Sequence, residues 1–386
     1  MKQNAPAIFQ NWFLSRGWAL FPHQSEMLDK ARCGESALLI APTGGGKTLA
    51  GFLPSLIDLY ENPRKGLHTL YISPLKALTQ DIYRNVLKPV EEMDLDIKCE
   101  TRTGDSPAAK RQRQRRTPPQ ILMTTPESLA LMLSYPESAE LFAGLQSVII
   151  DELHALAGTK RGELLSLGLA RLRTLAPDCR FNGLSATVAD KESLQDYLFG
   201  NAAIVHGTSP VQPDIQILPT QARLPWSGHM ATHAYPEIYE LIRAHDHVLV
   251  FVNTRAQAEI IFQELWRRNT DNLEIALHHG SLDAQARRRV ENAMAEGKLR
   301  AVIATSSLDL GIDWGDIDLV VQIGAPKGAA RLLQRIGRAN HRFGEPSRAR
   351  LVPANRLEVL ECEAALEAIR HGWLDGETRS RGGLDV

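Results

Sequence analysis

Two short stretches carry the side chains best suited to phosphate chemistry. Ala41-Pro42-Thr43-Gly44-Gly45-Gly46-Lys47-Thr48 sets three glycines before a lysine and a hydroxyl. Gly44, Gly45 and Gly46, with Thr43 in the same turn, let the backbone curl so that its amides face an anion. Lys47 then reaches the β- and γ-phosphates of a nucleotide, and Thr48 offers a hydroxyl to Mg²⁺. The stretch departs from G-x-x-x-x-G-K-[ST] at Ala41, where that pattern has its first glycine. The bland alternative is a glycine-rich turn with a chance lysine. The second stretch is Gln334-Arg335-Ile336-Gly337-Arg338. Arg335 and Arg338 stand at i and i+3 of an expected helix, on one face. Either could serve as an arginine finger on a transferring phosphoryl group. Read alone, the pair is an ordinary surface feature. Together the two stretches imply a nucleotide held between two domains and hydrolysed when they close.

Other residues extend this reading. Asp151-Glu152-Leu153-His154 follows the apolar run Ser147–Ile150. Asp151 then lies at the carboxyl end of a strand, where ligands bind in parallel sheets. It is a candidate Mg²⁺ holder, mostly through water, and Glu152 is the candidate base for the attacking water. His154, with Ser185 and Thr187 of Ser185-Ala186-Thr187, could relay between this acid pair and the rest of the protein. Gln24, in Phe21-Pro22-His23-Gln24, has the amide donor and acceptor needed to read an adenine edge. The start of a surface helix after Pro22 is the competing reading.

Several loops after apolar runs offer hydroxyls, amides or a cation to nucleic-acid phosphates. Ser73, Pro74 and Lys76 form one, Arg102, Thr103 and Gly104 a second, and Thr125 and Pro126 a third. Thr254, Arg255 and His279 follow strands of the second half, as do Thr305 and Ser306. Gly311 and Asp313, further along that last loop, could meet a nucleotide ribose. Each segment by itself reads equally as a helix cap. The basic run Lys110-Arg111-Gln112-Arg113-Gln114-Arg115-Arg116 reads either as a solvated charged loop or as a stretch that tracks a nucleic-acid backbone.

Positioning these groups needs strands with loops at a common edge. Runs at Ala37–Ala41, Thr69–Ser73, Ile121–Thr124, Val148–Asp151 and Phe181–Ser185 alternate with helical stretches, including Leu49–Tyr60. A second series runs through Asp214–Leu218, Val248–Val252, Glu274–His278, Ala301–Ala304, Leu319–Ile323 and Ala349–Val352. Apolar runs separated by helices point to α/β domains with mostly parallel sheets. The proline-rich segment that begins near Gly207 marks the crossover. The expected division is 1–208, 209–365 and a tail at 366–386. Length agrees with two domains: the chain has 386 residues, 44% hydrophobic and 23% charged. A formal net charge of −1 means that nucleic-acid binding must come from local basic patches. Four scattered cysteines without a Cys-x-x-Cys pair argue against a disulfide framework, a zinc site or an iron–sulfur cluster. No apolar run is long enough to span a bilayer, and the first residues lack a signal-peptide core, so the expected location is cytoplasmic.

The ordered set resembles the superfamily 2 helicases of the DExH type, and within them the Lhr-type helicases. Gln334–Arg342 and Leu351-Val352-Pro353-Ala354-Asn355-Arg356 are similar to the bacterial ligase-associated DNA-repair DExH helicases. The resemblance implies two tandem RecA-like domains with an ATP cleft between them, and hydrolysis of Mg-ATP. It also implies 3′-to-5′ movement on single-stranded DNA or a tailed duplex, and repair proteins such as a ligase as partners. Lhr-type proteins continue into a winged helix, so the chain is expected to be a truncated core. It is also expected to be a monomer. An RNA-dependent ATPase and an ATP-gated nucleic-acid clamp are the alternatives.

Overall fold

The computed structural model describes residues 5–42, 45–74, 86–186, 188, 190–207, 212–308, 317–339 and 346–375. The apolar runs of the first half form strands Ala37–Ile40 (β1), Thr69–Ile72 (β2), Ile121–Thr124 (β4), Ser147–Ile150 (β5) and Arg180–Ser185 (β6). Two further strands, Cys99–Arg102 (β3) and Ala203–His206 (β7), are missing from the apolar runs above. Both lie at the edges of the sheet, where one flank stays open and a polar tetrapeptide such as Cys-Glu-Thr-Arg suffices. The order is β3-β4-β2-β5-β6-β1-β7, and every pairing is parallel.

Alternate residues of these strands enter different cores, as a sheet with two covered faces requires. Leu39, Tyr71, Met123, Ile149 and Leu184 pack against the helices Ala7–Ser15, Pro22–Arg32 and Lys47–Glu61. Leu38, Ile40, Leu70, Ile72, Val148 and Ile150 pack on the other face, against Pro126–Leu133 and Lys160–Leu175. The second half repeats the plan with Asp214–Ile217 (β8), Val248–Phe251 (β9), Ile275–His278 (β10), Ala301–Ala304 (β11), Leu319–Ile323 (β12) and Arg348–Val352 (β13). Its order is β10-β11-β9-β12-β13-β8, again parallel throughout. Val248, Val250 and Ile303 face one core, and Leu249, Phe251 and Val302 the other.

The chain divides into two compact units, whose described residues end at 207 and begin at 212. The expected tail boundary at 365 falls inside the helix Arg356–His371, whose Leu366 is buried in the second unit's core. Residues 366–371 therefore continue that unit. The basic run is also corrected. It is not a loop but most of a helix, Ala108–Arg116. Pro107 precedes that helix, and its long unbranched side chains lose little rotamer freedom there. Arg113 and Arg115 pair with Glu100 and Glu137, so part of the run's charge is locally balanced.

Candidate nucleotide and nucleic-acid sites

Because all strands of the first sheet are parallel, their carboxyl ends share one edge. The loop after β1 and the loop after β5 are separated there only by β6, a spacing of about 10 Å. Ala41 continues the ladder, with its amide donating to Ser185 O at 3.1 Å. Gly46 has a φ of +66° and caps the helix Lys47–Glu61. A Cβ there would stand 2.9 Å from the Gln24 amide nitrogen, so the turn admits only glycine without strain. Lys47 is buried, and its Nζ donates to Ala41 O at 3.0 Å and Pro42 O at 2.9 Å. Thr48 lies in the helix's first turn. Thr43 and Gly44 lie outside the described residues.

The helix Pro22–Arg32 braces this loop. Gln24 is buried; its Oε1 accepts from Phe21 N at 3.0 Å, and its Nε2 donates to Gly46 O at 3.4 Å. His23, absent from the sequence-derived set, lies beside it. Its Nε2 is 2.8 Å from Gly45 O, so that nitrogen carries the proton. Burial, with a smaller push from the Lys47 charge, holds His23 below its ordinary pKa.

At the end of β5 the buried Asp151 accepts from the Tyr71 hydroxyl through Oδ2 and from Glu152 N at 2.9 Å through Oδ1. Tyr71 is a second residue that sequence reasoning passed over. Its signal was a phenol inside an apolar strand, since a buried hydroxyl needs an acceptor. Glu152 has a φ of +48°, unusual for a residue with a side chain. Its carboxylate lies 3.5 Å from His154 Nε2. On the other side of the ring, Nδ1 accepts from Ala186 N at 3.3 Å and lies 3.2 Å from Ser185 Oγ. Acceptance at Nδ1 puts the ring proton on Nε2, facing Glu152. Burial is the main cause that keeps the ring below its ordinary pKa; Glu152 pulls the other way. The acid pair and the end of β6 are thus joined through one neutral imidazole. Thr187 lies outside the described residues.

The three loops of this unit are not equivalent. Pro74 O accepts from Arg161 Nη1 at 2.7 Å, and the same guanidinium forms two bonds to the Glu127 carboxylate, one of them 3.1 Å. Arg161, which no motif reading picked out, therefore ties the loop of Ser73 and Pro74 to the loop of Thr125 and Pro126. Ser73 is buried, its amide donating to Thr124 O. Thr125 caps the helix Pro126–Leu133 by accepting from Ser128 N. Arg102, expected to offer a cation to phosphates, is instead turned inward in this structure. It is 2% exposed, and its guanidinium donates to Tyr135 O–H oxygen at 2.7 Å and Arg111 O at 3.4 Å. Burial and the bond to Tyr135 hold its guanidinium in the fold, which leaves Thr103 and Gly104 as the half-buried and exposed members of this loop. Lys76 lies outside the described residues.

In the second unit, Thr254 is the N-cap of the helix Arg255–Arg268, in a capping box with Gln257. Arg255 is exposed and donates to Ser281 Oγ. His279, at the end of β10, accepts from Ser281 N at Nδ1 and faces Glu259 with Nε2 at 3.3 Å. Thr305 is buried at the end of β11, and Ser306 is exposed beside it. Since this sheet too is parallel, these groups share its carboxyl edge. Gly311 and Asp313 lie outside the described residues.

The arginine pair is also corrected. Its helix spans Ala329–Ile336, with Gln334 half-buried in it, and ends at Gly337. Arg338 therefore lies in the following turn, its amide bonded to Arg335 O. Arg335 is 3% exposed, donates to Gln322 Oε1 at 2.7 Å, and sits 4.6 Å over the Phe251 ring. The buried Gln322 is itself oriented by donating to Ile323 O and Gly324 O. Arg335 is thus held as a brace between β9, β12 and its own helix.

Residues 21–195 match the family model of the DEAD/DEAH box helicases, and residues 233–344 match the helicase conserved C-terminal domain. The ATP-dependent helicase Lhr-Core protein 2 of Thermococcus barophilus is 36% identical over 98% of this chain and 47% of its own length. The Lhr helicase/uracil glycosylase of Escherichia coli is 34% identical over 98% of this chain and 29% of its own. The chain therefore spans about half or less of the length of these curated relatives. A solved structure of Mycobacterium smegmatis helicase Lhr bound to ssDNA and AMP-PNP superposes with a TM-score of 0.85 at 37% identity, covering 97% of this chain and 51% of that one. The DNA-bound helicase MrfA gives 0.76 at 26% identity, covering 96% and 53%. The two parallel-sheet units are thus tandem RecA-like domains, and the chain belongs to the DEAD/DEAH box helicases as a core of the Lhr type.

Proposed function

We propose that this chain is a nucleic-acid-dependent ATPase that moves along single-stranded DNA. The observation that carries the reading is the wiring in the first unit. A phosphate loop with a buried lysine and an acidic pair share one sheet edge, and His154 links that pair to the end of β6. Such a link lets an event elsewhere in the protein bias the group assigned to activate water. The DNA-bound Lhr and MrfA structures support DNA as the strand.

In this reading Lys47 and the loop amides hold the triphosphate, and Glu152 orients and deprotonates the attacking water. Thr48 and Asp151 supply a hydroxyl and a carboxylate, the hard oxygen donors that suit Mg²⁺. When bound, Mg²⁺ would neutralise charge on the phosphates. Gln24 shapes the loop through Gly46, and its second amide N–H and second oxygen lone pair are assigned to an adenine edge. Arg338, which like Arg335 is buried, is assigned to phosphoryl transfer, with Gln334 beside it. Gly311 and Asp313 are assigned to the ribose. Ser73, Lys76, Thr103, Gly104, Thr125, Thr254, Arg255, His279, Thr305 and Ser306 are assigned to the strand's phosphates. Movement from 3′ to 5′, a role in repair beside a ligase, a cytoplasmic location and action as a monomer complete the proposal. The domain division at 208 and 209 belongs to it too.

The test is ATP hydrolysis by the purified chain with no nucleic acid, with oligo-dT and with oligo-rU, for the natural protein and Arg338→Ala. Stimulation by DNA that the variant lacks supports the proposal. Stimulation by RNA alone would move the substrate to RNA, and hydrolysis indifferent to both would remove the motor reading.

A further inference from the structure

An exposed indole stands at the carboxyl edge of the second sheet. Trp226 is 74% exposed, yet its segment is firmly held. Pro225 O accepts from Arg356 N at 3.1 Å, Gly228 O from Asn355 Nδ2 at 2.8 Å, and His229 O from Gln257 Nε2 at 2.6 Å. The Arg356 guanidinium lies 4.2 Å over the indole ring. An exposed side chain of this size normally gains rotamer freedom by staying loose. Here a cation is stacked on one face of the ring and three backbone anchors hold the chain beneath it.

The anchors also say where the indole is. Gln257 is the residue whose Oε1 accepts from Asn253 N and Thr254 N, so the same amide ties Trp226's segment to the Thr254 loop. Asn253 Nδ2 donates to Ala325 O, and Glu358 Oε2 accepts from Ala325 N and Ala354 N. The loops after β9, β12 and β13 are therefore one bonded assembly. Trp226 and Arg356 continue the row formed by His279 after β10, Thr305 after β11 and Thr254 after β9.

We infer that Trp226, braced by Arg356, is a stacking platform for an unpaired base of the strand whose phosphates the Thr254 loop contacts. The inference rests on the nucleic-acid reading above. Every base has a π face, so such a platform grips a strand without reading its sequence. Arg356 adds a cation next to the stack. Leu357 and Leu360 are also exposed on the helix that Arg356 opens, and a protein partner is the competing occupant. The bonded tie to Thr254 favours the strand.

Affinity for labelled oligo-dT, measured by fluorescence anisotropy at several salt concentrations, tests this. Trp226→Ala is expected to weaken binding roughly tenfold, and Trp226→Phe to recover most of the loss. Arg356→Gln is expected to fall between them. The salt slope should not change with Trp226→Ala, because stacking releases no counterions. An abasic position moved along the oligonucleotide should reproduce the loss once in the natural protein and add nothing in Trp226→Ala. Equal affinity of the natural protein and Trp226→Ala, or additive losses at every abasic position, overturns the platform while leaving the motor intact. Failure of the natural protein to bind oligo-dT at all overturns the motor reading and the platform with it.

Discussion

Lys47 and His154 show how much a single side chain can be asked to do. Lys47 is buried, with its Nζ held by the carbonyls of its own loop, so the proposed phosphate ligand is positioned before any nucleotide arrives. Removing one such preorganised donor costs roughly a hundredfold or more in turnover. Lys47→Ala should therefore lose stimulated ATP hydrolysis to that extent, as read by steady-state phosphate release; a loss under threefold would contradict the assignment. His154 touches Glu152 on one side and the end of β6 on the other. His154→Ala should lower the factor by which DNA stimulates hydrolysis about fivefold or more, the range of a coupling energy of about 1–3 kcal/mol. It should reduce the unstimulated rate by less. Equal reductions of both rates would make His154 a general structural residue. Arg335 carries the opposite lesson. Its motif position invites a finger, but its bond to Gln322 and its place over Phe251 commit it to the core.

At the scale of elements, what holds the loops matters as much as what lies on them. Arg161, at the start of the helix Lys160–Leu175, bonds Pro74 O and the Glu127 carboxylate together. The ion pair is half-exposed, and such pairs contribute only about 0–1 kcal/mol to stability. Arg161→Lys should thus leave the melting temperature nearly unchanged. A lysine cannot make the two-pronged bond and the carbonyl bond at once. The two loops would lose their tie, and the DNA concentration that half-stimulates hydrolysis should rise severalfold in a titration. An unchanged half-saturation point would show that the loops hold their shape without Arg161. Gly46 acts at the same scale. Gly46→Ala would force a left-handed residue against Gln24, and about 1–2 kcal/mol of stability should be lost in urea unfolding. A variant as stable as the natural protein would mean that the helix Pro22–Arg32 can move aside.

The whole molecule carries buried imidazoles that set a pH response. His68 and His154 are both in the first unit, and burial holds each below the ordinary 6.5. The folded state then resists protons that the unfolded chain takes up readily. Stability is full above about pH 6.5 and falls as pH drops below it, toward the depressed folded values, by up to about 1.4 kcal/mol per pH unit for each titrating group. Melting of the chain between pH 7.5 and 5.5 should show this decline, and a flat or rising midpoint would contradict it. Most of this architecture was legible in advance. Buried parallel strands are covered on both faces, so they leave continuous apolar runs. β3 left no such run because an edge strand is not enclosed, whereas β7 did leave one, residues 202–205, which sequence reasoning passed over. The helix Ala108–Arg116 and the end of the helix Ala329–Ile336 escaped because charge and motif spacing say little about local geometry. By itself, then, the sequence determined the two α/β domains and singled out the glycine-rich loop and the acidic pair as candidates, since these depend on residue type and local order. Only the tertiary structure decided that Arg102 and Arg335 turn inward, that Tyr71 bonds Asp151, that Arg161 joins two loops and that Trp226 stands exposed beside Arg356. Those facts depend on which distant backbone a side chain meets, and spacing along the chain does not encode that.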